Sequence, residues 1–374
     1  MQLTRLWLIM GVSLVLGLAI EYRDRTLHHL GYQRKERLVT CLLIIILGFF
    51  CGLRIWGNDT TEYLEIYETL TPTFDTYDAD KHAPTFSDGW LFTYINIALK
   101  SWGFSSQDYL MFYAFATVIP YILFVRRFSV HAVWGIFLMF TTDFYTFSMA
   151  AIKQGLAIGI CLTALPLALD RKWLRFALTV FLGSLIHPYA IVYFIVPLMM
   201  FKPWTGKTIL YVVIFVSAGF MLDSLIGTVL TITDMMGADY SEAEMMGAGV
   251  NIFRVLVCFV PLILTVFYGS ALFRDTGDEV HLMFNLAMVN ALIMFVGIFG
   301  TANYFARLAN YFLPAQVVVI PWMLKSAHAQ DRRWLMPACI VGYLGYFYYE
   351  NAIIRPFDIG YGQMSLWDYL ATLF

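Results

Sequence analysis

Long apolar runs, separated by short polar or basic stretches, occupy most of the chain between residues 5 and 350. A helix that crosses a bilayer needs about 20 mostly apolar residues. By this measure the pattern predicts about twelve membrane-spanning helices, within a range of about 10 to 14. The predicted spans are 5–20, 38–53, 109–125, 132–149, 155–169, 174–186, 188–201, 208–222, 250–273, 281–299, 308–324 and 334–350.

The composition supports an all-α, polytopic integral membrane protein. Of the 374 residues, 60% are hydrophobic and 13% are charged, whereas soluble domains carry about 25% charged residues. A formal net charge of −2 argues against a nucleic acid partner. No soluble domain, repeat array or low-complexity linker interrupts the apolar pattern, so residues 1–374 are predicted to form a single transmembrane domain.

The basic residues predict the orientation of the chain, because Lys and Arg are enriched in cytoplasmic loops. Most of the 24 basic residues share one side of the membrane if segment 21–37 is cytoplasmic. The opposite assignment violates the rule, so both termini are predicted to be extracytoplasmic. Two long loops on the outer side, 54–108 and 223–249, are predicted to cover a site there.

Four cations adjoin the outer ends of predicted spans, namely Arg54, Lys153, Arg254 and Arg307. A charge at that depth is costly unless it is paired or faces a polar cavity. A neighbouring acid would account for any one of them, whereas a shared anionic ligand would account for all four. Arg355, near the end of the chain, is interpreted as a solvated charge.

The stretch from Arg54 to Tyr63 combines a cation, a tight turn and a carboxylate. Asp59 is expected to cap a helix, with Glu62 reaching back to complete a capping box. Asp59 is also a candidate functional carboxylate, and the two interpretations are compatible. A second capping pattern, Ser105 with Asp108, predicts the start of the next span.

Lys153, Gln154 and His187 lie at breaks between apolar runs on the same predicted side. Lys153 offers a point charge, and Gln154 both donates and accepts hydrogen bonds; a snorkelling lysine is the alternative interpretation. Because Pro188 disfavours helix at the preceding residue, we expect either a hairpin or a kink at His187. His187 is a candidate base, a protonated phosphate partner favoured by a helix C-terminus, or a structural histidine.

A last cluster surrounds Arg307, where Asn303, Arg307 and Asn310 recur at helical spacing beside Tyr304. Arginine makes bidentate contacts to phosphate oxygens, and asparagine and tyrosine suit sugar hydroxyls. The alternative is an aromatic belt with one interfacial arginine. No P-loop, GxSxG, HExxH or metal-spaced carboxylate motif occurs, so neither a metal nor a cofactor is predicted.

Together these residues resemble the EpsG-type polysaccharide polymerases, which are related in role to the Wzy-type polymerases. The resemblance extends over roughly residues 50–325. It lies in Leu53-Arg54, Gly57-Asn58-Asp59-Thr60, Tyr63, Asp88-Gly89-Trp90, Phe147-Ser148, Lys153-Gln154-Gly155-Leu156-Ala157, His187, Arg307 and Tyr311-Phe312.

The resemblance implies a GT-C-like membrane glycosyltransferase in the bacterial cytoplasmic membrane, with its active site facing outward. The implied reaction transfers a growing glycan from undecaprenyl diphosphate to the next lipid-linked repeat unit. The implied partners are these lipid-linked oligosaccharides, membrane lipids and a chain-length regulator protein. A flippase or other transporter of lipid-linked oligosaccharide, and a membrane O-acyltransferase using His187, are the alternatives.

For that reaction Arg54, Lys153 and Arg307 are expected to bind the diphosphate, with Arg254 as a further candidate. Asp59 and His187 are the candidate proton acceptors for the attacking hydroxyl, and Asp59 is preferred. The residues expected to orient sugar rings are Gln154, Tyr63, Trp90 and Tyr304.

Overall fold

A computed structural model describes residues 2–29, 35–71, 89–235, 241–359 and 364–373. Within these ranges the regular structure is helical. The α-helices are α1 Gln2–His29, α2 Leu38–Gly52, α3 Thr60–Thr69, α4 Trp90–Ser101, α5 Ser106–Phe128, α6 Ala132–Thr141, α7 Phe144–Ala150, α8 Ile152–Leu169, α9 Trp173–Ile186, α10 Gly206–Phe220, α11 Leu222–Met235, α12 Glu242–Met245, α13 Ile252–Tyr268, α14 Asp278–Val296, α15 Ala302–Ala309, α16 Pro314–Ser326, α17 Ala329–Tyr348 and α18 Leu366–Thr372. The 3₁₀ segments are Pro188–Met199 and Gly269–Phe273, and a π-helical turn covers Tyr349–Ile354.

These helices agree with a helical membrane protein. In the described ranges α1, α5, α8 and α14 are long and apolar enough to cross a membrane, and α10 with α11 is a further candidate that bends by 97°. Shorter apolar helices are α2, α6, α9, α13 and the 3₁₀ segment after His187. The number of about twelve spans, the GT-C-like architecture and the single domain stay predictions.

One end of the bundle collects the basic loops. Arg126, in the last turn of α5, forms a bidentate ion pair with Asp24 at 2.8 and 3.1 Å. Its neighbour Arg127 interacts electrostatically with Asp170, which follows α8. We call this the basic end.

The first turn of α5 marks the opposite end, which we call the far end. A helix of this length spans about 34 Å, so Asp108 and Arg126 lie on opposite sides of the bundle. Asp108 accepts a hydrogen bond from the Tyr369 hydroxyl at 2.9 Å. The ring of Trp7, in the opening turns of α1, packs edge-on against Phe347 at 4.8 Å. The described residues near both termini therefore lie opposite the basic loops, and their extracytoplasmic placement stays a prediction.

The start of α5 was predicted correctly from its capping pattern. The backbone N–H of Asp108 donates to the Ser105 hydroxyl at 3.2 Å, and the Ser105 N–H donates to the Asp108 carboxylate at 3.0 Å. Both bonds join residues only three positions apart. A local sequence pattern was therefore sufficient to locate this helix start.

The chain reverses direction at His187, which confirms the hairpin interpretation. Helix α9 ends at Ile186, and a 3₁₀ segment begins at Pro188. Across the two arms the rings of Phe176 and Phe194 lie 6.3 Å apart. A kinked continuous helix would have kept these two rings far from each other.

The predicted span 132–149 is wrong as a single helix. Helix α6 ends at Thr141 and α7 begins at Phe144, and Asp143 between them has a φ of 61°. Aspartate tolerates this left-handed conformation better than most residues. Its carboxylate accepts hydrogen bonds from Asn351 at 2.7 Å and from Thr146 at 3.2 Å. The distant partner Asn351 is invisible in the local hydrophobic pattern.

Both segments predicted as outward loops contain helix. Segment 54–108 includes α3 and α4, and segment 223–249 includes most of α11 together with α12. Residues 72–88, which include Asp88 of the resemblance, and residues 236–240 lie outside the described ranges. That these segments cover a site stays a prediction.

We expect Arg126→Ala to lower the free energy of unfolding by about 2 kcal/mol, because it leaves the partly buried carboxylate of Asp24, 28% exposed, without its bidentate partner. The Arg126 side chain is only 9% exposed. The control is Arg171→Ala, since the Arg171–Asp278 pair is 57% and 62% exposed and such surface pairs contribute about 0–1 kcal/mol. Thermal unfolding in detergent measures both changes, and equal losses would contradict the prediction.

Candidate functional site

Arg54 follows α2 and holds the next turn in place. Its side chain is buried, with 1% exposed. The guanidinium donates to the carbonyl of Cys51 and, at 3.2 Å, to the hydroxyl of Thr60. The Thr60 hydroxyl in turn donates to the carbonyl of Met149 in α7 at 3.3 Å. Arg54 therefore connects the start of α3 to α2, and Thr60 extends the connection to α7.

Asp59 immediately precedes α3, and its carboxylate does not cap that helix. The predicted capping box with Glu62 is therefore wrong. The physical reason is the backbone of Asp59, whose φ of −74° and ψ of 0° differ from the extended conformation of capping residues. The carboxylate instead accepts a hydrogen bond from Asn58 at 2.6 Å and lies 4.0 Å from the guanidinium of Arg307. It remains 31% exposed.

Lys153 and Gln154 occupy the first turn of α8, directly after the tight connection from α7. The amide of Gln154 donates to the carbonyl of Arg307 at 2.5 Å. Gln154 is buried, and its Oε1 atom has no hydrogen-bond partner within the described parts of the chain. The ammonium of Lys153 lies 6.0 Å from the ring centroid of Phe92 in α4. This turn consequently brings Lys153 and Arg307 to the same region of the far end.

Gly89 permits the close approach of α4 to this turn. It is buried and has a φ of 66°. A Cβ atom there would lie 2.6 Å from Cε of Lys153 and would overlap the carbonyl oxygen of Ile186. Only glycine satisfies both the backbone conformation and the space available.

His187 lies at the hairpin tip beside the same cations. Its Nδ1 atom is 2.9 Å from the hydroxyl of Tyr311. Burial lowers the pKa of His187 to about 3, and the charges of Lys153 and Arg307 add to that effect. The expectation that the helix C-terminus favours the protonated form is therefore wrong, because desolvation outweighs the helix dipole. His187 is a neutral imidazole at physiological pH.

Three aromatic residues predicted from the sequence, Tyr63, Trp90 and Tyr304, lie near these cations. Burial and then the charge of Asp59 raise the pKa of Tyr63 to about 12, so its phenol stays protonated. The ring of Tyr304 packs edge-on against Tyr189 at 5.5 Å, and Tyr189 packs against His187 at 4.9 Å. Trp90 opens α4 directly after Gly89. We call Asp59, Lys153, Gln154, His187 and Arg307 the central cluster.

Arg254 belongs to a different group of polar residues. Its guanidinium forms an ion pair with the buried carboxylate of Glu350, at 2.8 Å through Nε. Asn351, the residue after Glu350, donates to the carboxylate of Asp143 at 2.7 Å. We call Asp143, Arg254, Glu350 and Asn351 the second cluster. Because Glu350 already balances Arg254, diphosphate binding by Arg254 stays a prediction.

Arg355 lies next to the second cluster, where its backbone N–H donates to the carbonyl of Glu350 at 2.9 Å. Its side chain is exposed, as expected for a solvated charge. The sequence pattern did not predict its position beside these polar residues. For Asp143 a signal did exist, since a carboxylate inside an apolar run is costly and indicates a partner. Glu350, the last residue of the predicted span 334–350, carried a weaker signal of the same kind.

One family model matches most of the chain. Residues 37–369 match the EpsG family. The chain belongs to the EpsG family. This membership confirms the resemblance and indicates a polysaccharide polymerase of the bacterial membrane with glycosyltransferase-like activity. No curated protein and no solved structure matches the chain.

Gly89→Ala is expected to abolish polymer formation by this EpsG-family protein, because the new Cβ displaces Lys153 or the hairpin tip. The control is Gly103→Ala. Gly103 also has a positive φ, 82°, but a Cβ there meets no atom within 4 Å. Both substitutions therefore carry similar backbone strain, of about 1–2 kcal/mol, and only the first carries a clash. Polymer length on gels measures the outcome, and similar effects of the two variants would refute the explanation.

The neutral state of His187 predicts a pH dependence of stability. The unfolded chain binds a proton at His187 below about pH 6.5, and the folded protein does not until about pH 3. The contribution of His187 to the free energy of unfolding is therefore complete above about pH 6.5. It falls as the pH decreases, by up to about 1.4 kcal/mol per pH unit.

The stability difference between the wild-type protein and His187→Gln should consequently narrow between pH 7 and pH 4. The control His328→Gln removes a side chain that is 82% exposed, and it shows whether the loss of any histidine has the same effect. Thermal unfolding at several pH values measures both, and a pH-independent difference for His187→Gln would disprove the assignment.

Proposed function

We propose that this protein extends a lipid-linked polysaccharide at the outer face of the bacterial cytoplasmic membrane. It transfers the growing glycan from undecaprenyl diphosphate to the next lipid-linked repeat unit. The observation that carries this proposal is the central cluster, which brings two cations and one carboxylate together at the end of the bundle opposite the basic loops. Membership of the EpsG family supports the same reaction class.

In the proposed reaction an acceptor hydroxyl oxygen attacks the anomeric carbon of the donor glycan. The bond between that carbon and the diphosphate oxygen breaks, and its electron pair leaves with the lipid diphosphate. Negative charge therefore grows on the diphosphate in the transition state. Fixed cations beside that oxygen stabilise this charge more than that of the ground state. Lys153 and Arg307 are the residues that we assign to this role.

Asp59 is the proposed base that accepts the proton of the attacking hydroxyl. Its carboxylate is 31% exposed and stands 4.0 Å from Arg307, so the base and one diphosphate ligand are adjacent. His187 is a poorer base because its imidazole has a low pKa. We assign His187 a hydrogen bond to substrate, with its orientation set by the hydroxyl of Tyr311.

Arg54 is proposed to act as a positioning residue, in place of the direct diphosphate contact expected from the sequence. Its guanidinium is enclosed and already bonded to Cys51 and Thr60. Through Thr60 it holds the start of α3, which Asp59 immediately precedes. Gln154, Tyr63, Trp90 and Tyr304 keep their proposed role in orienting the sugar rings.

The test is a ladder assay with purified protein and a lipid-linked repeat unit in detergent. We expect Lys153→Met and Arg307→Met to slow chain growth by about 10²–10³-fold, the usual effect of removing one charge-stabilising donor. Asp59→Asn is expected to slow it by about 10²–10⁴-fold. The control is Lys100→Met, because the ammonium of Lys100 donates to the carbonyls of Tyr67 and Glu68, outside the central cluster.

The same assay separates the alternatives. Detergent micelles have no compartments and no acyl donor is supplied, so neither a transporter nor an O-acyltransferase would yield a ladder. A ladder that persists unchanged in Lys153→Met and Arg307→Met would refute the assignment of the site. The absence of any ladder with the wild-type protein would refute the polymerase itself.

A further inference from the structure

An apolar groove of about 620 Å³ runs between α13 and α17. On the side of α13 it extends from Phe253 to Leu264, a distance of about 17 Å along the helix. The other wall runs from Leu335 to Tyr346 of α17, and Tyr349 follows at the same end as Phe253. The volume lies within the usual range of about 300–1,000 Å³ for ligand sites.

Two glycines of α17 leave room along this groove. Gly342 and Gly345 both line it, and a Cβ atom at either position would meet no atom within 4 Å. A glycine inside a helix costs about 1 kcal/mol relative to alanine. Neither glycine is required here by a tight helix contact or by a positive φ. What both positions have in common is the open space beside them.

One end of the groove reaches charged residues. The ring of Phe253 packs against Tyr349 at 5.3 Å, and the Tyr349 hydroxyl accepts a hydrogen bond from Asn251 at 2.9 Å. The next residues along the two walls are Arg254 and Glu350, which form the ion pair of the second cluster. The other end, at Leu264 and Leu335, is apolar.

Arg355 continues this charged end toward the central cluster. Its side chain is exposed, and its backbone N–H donates to the carbonyl of Glu350 at 2.9 Å. The carbonyl oxygen of Asp358, further along the same segment, lies beside Gly57, just before Asp59. Glu350 pairs with Arg254, and the Asp143 carboxylate accepts hydrogen bonds from Asn351 and Thr146. Because Arg355 forms no ion pair within the described residues, its guanidinium is available to an anion. The groove thus joins a long apolar channel to a cationic end that borders the proposed reaction site.

We propose that this groove binds the polyprenyl tail of a lipid diphosphate substrate, with Arg355 facing its diphosphate. The choice of occupant follows from shape and charge. The groove follows one pair of helices for about 17 Å, a shape that suits one extended isoprenoid chain better than the two acyl chains of a phospholipid. The cationic end matches a diphosphate, which carries more negative charge than a phospholipid head group. This inference rests on the proposed function only in taking a lipid diphosphate as substrate.

The test uses a polyprenyl diphosphate with a diazirine in its tail, bound to the full-length protein in nanodiscs of phosphatidylethanolamine and phosphatidylglycerol. Irradiation should label peptides from α13 and α17. Unlabelled undecaprenyl diphosphate should compete, and added phosphatidylglycerol should not. Labelling competed equally by phosphatidylglycerol would identify ordinary membrane lipid in the groove and would overturn the proposal.

Substitutions that fill the groove supply the second measurement. Gly342→Leu and Gly345→Leu place a side chain in open space, and each should reduce labelling by about tenfold through lost apolar contact. The control is Gly11→Leu in α1, where a Cβ also meets no atom within 4 Å. Unchanged labelling in both groove variants would contradict the proposal, even if competition were specific.

Photolabelling measures binding and does not require catalysis. Its outcome therefore tests the groove independently of the proposed polymerase activity. We expect Asp59→Asn to be labelled like the wild-type protein although its chain growth is strongly slowed. Specific labelling of a protein that yields no ladder would uphold the groove and reject polymerisation. A ladder without groove labelling would reject the groove alone.

Discussion

The hydrogen bond from the Gln154 amide to the carbonyl of Arg307 joins two parts of the chain that are 153 residues apart. Each of the two turns also carries a cation, because Lys153 precedes Gln154 and Arg307 is itself charged. Two like charges at the edge of an apolar bundle repel each other. Asp59 offsets part of that repulsion at 4.0 Å from Arg307. The remaining positive charge is the basis of the proposed binding of a diphosphate.

Burial assigns different chemical roles to side chains that resemble each other in sequence. His187 is neutral because a buried imidazolium beside two cations would be costly. Glu350 and Arg254 are both enclosed and balance each other, so the loss of either would leave the other charge without its partner. Asp59 is partly exposed and lies 4.0 Å from the guanidinium of Arg307. The pair Arg254–Glu350 is thus enclosed, whereas the carboxylate proposed as the base is accessible.

Local patterns determined a large part of the architecture. The apolar runs correctly indicated a helical membrane protein, since the cost of exposing backbone polar groups to lipid leaves few other structures. Ser105 with Asp108 located a helix start because both capping bonds are local. Pro188 located the break at His187 because its ring restricts the preceding residue. Short motifs around Arg54, Lys153 and Arg307 were sufficient to suggest the family.

The sequence by itself therefore determined the class of fold, the family and the side chains available for chemistry. Tertiary structure decided which of those side chains meet and in which protonation state. The bond from Asn351 to Asp143, the pairing of Arg254 with Glu350, and the failure of Asp59 to cap α3 all depend on distant residues or on backbone angles. The physical reason is that desolvation and pairing depend on three-dimensional surroundings, whereas hydrophobic periodicity and capping depend on neighbours in the chain.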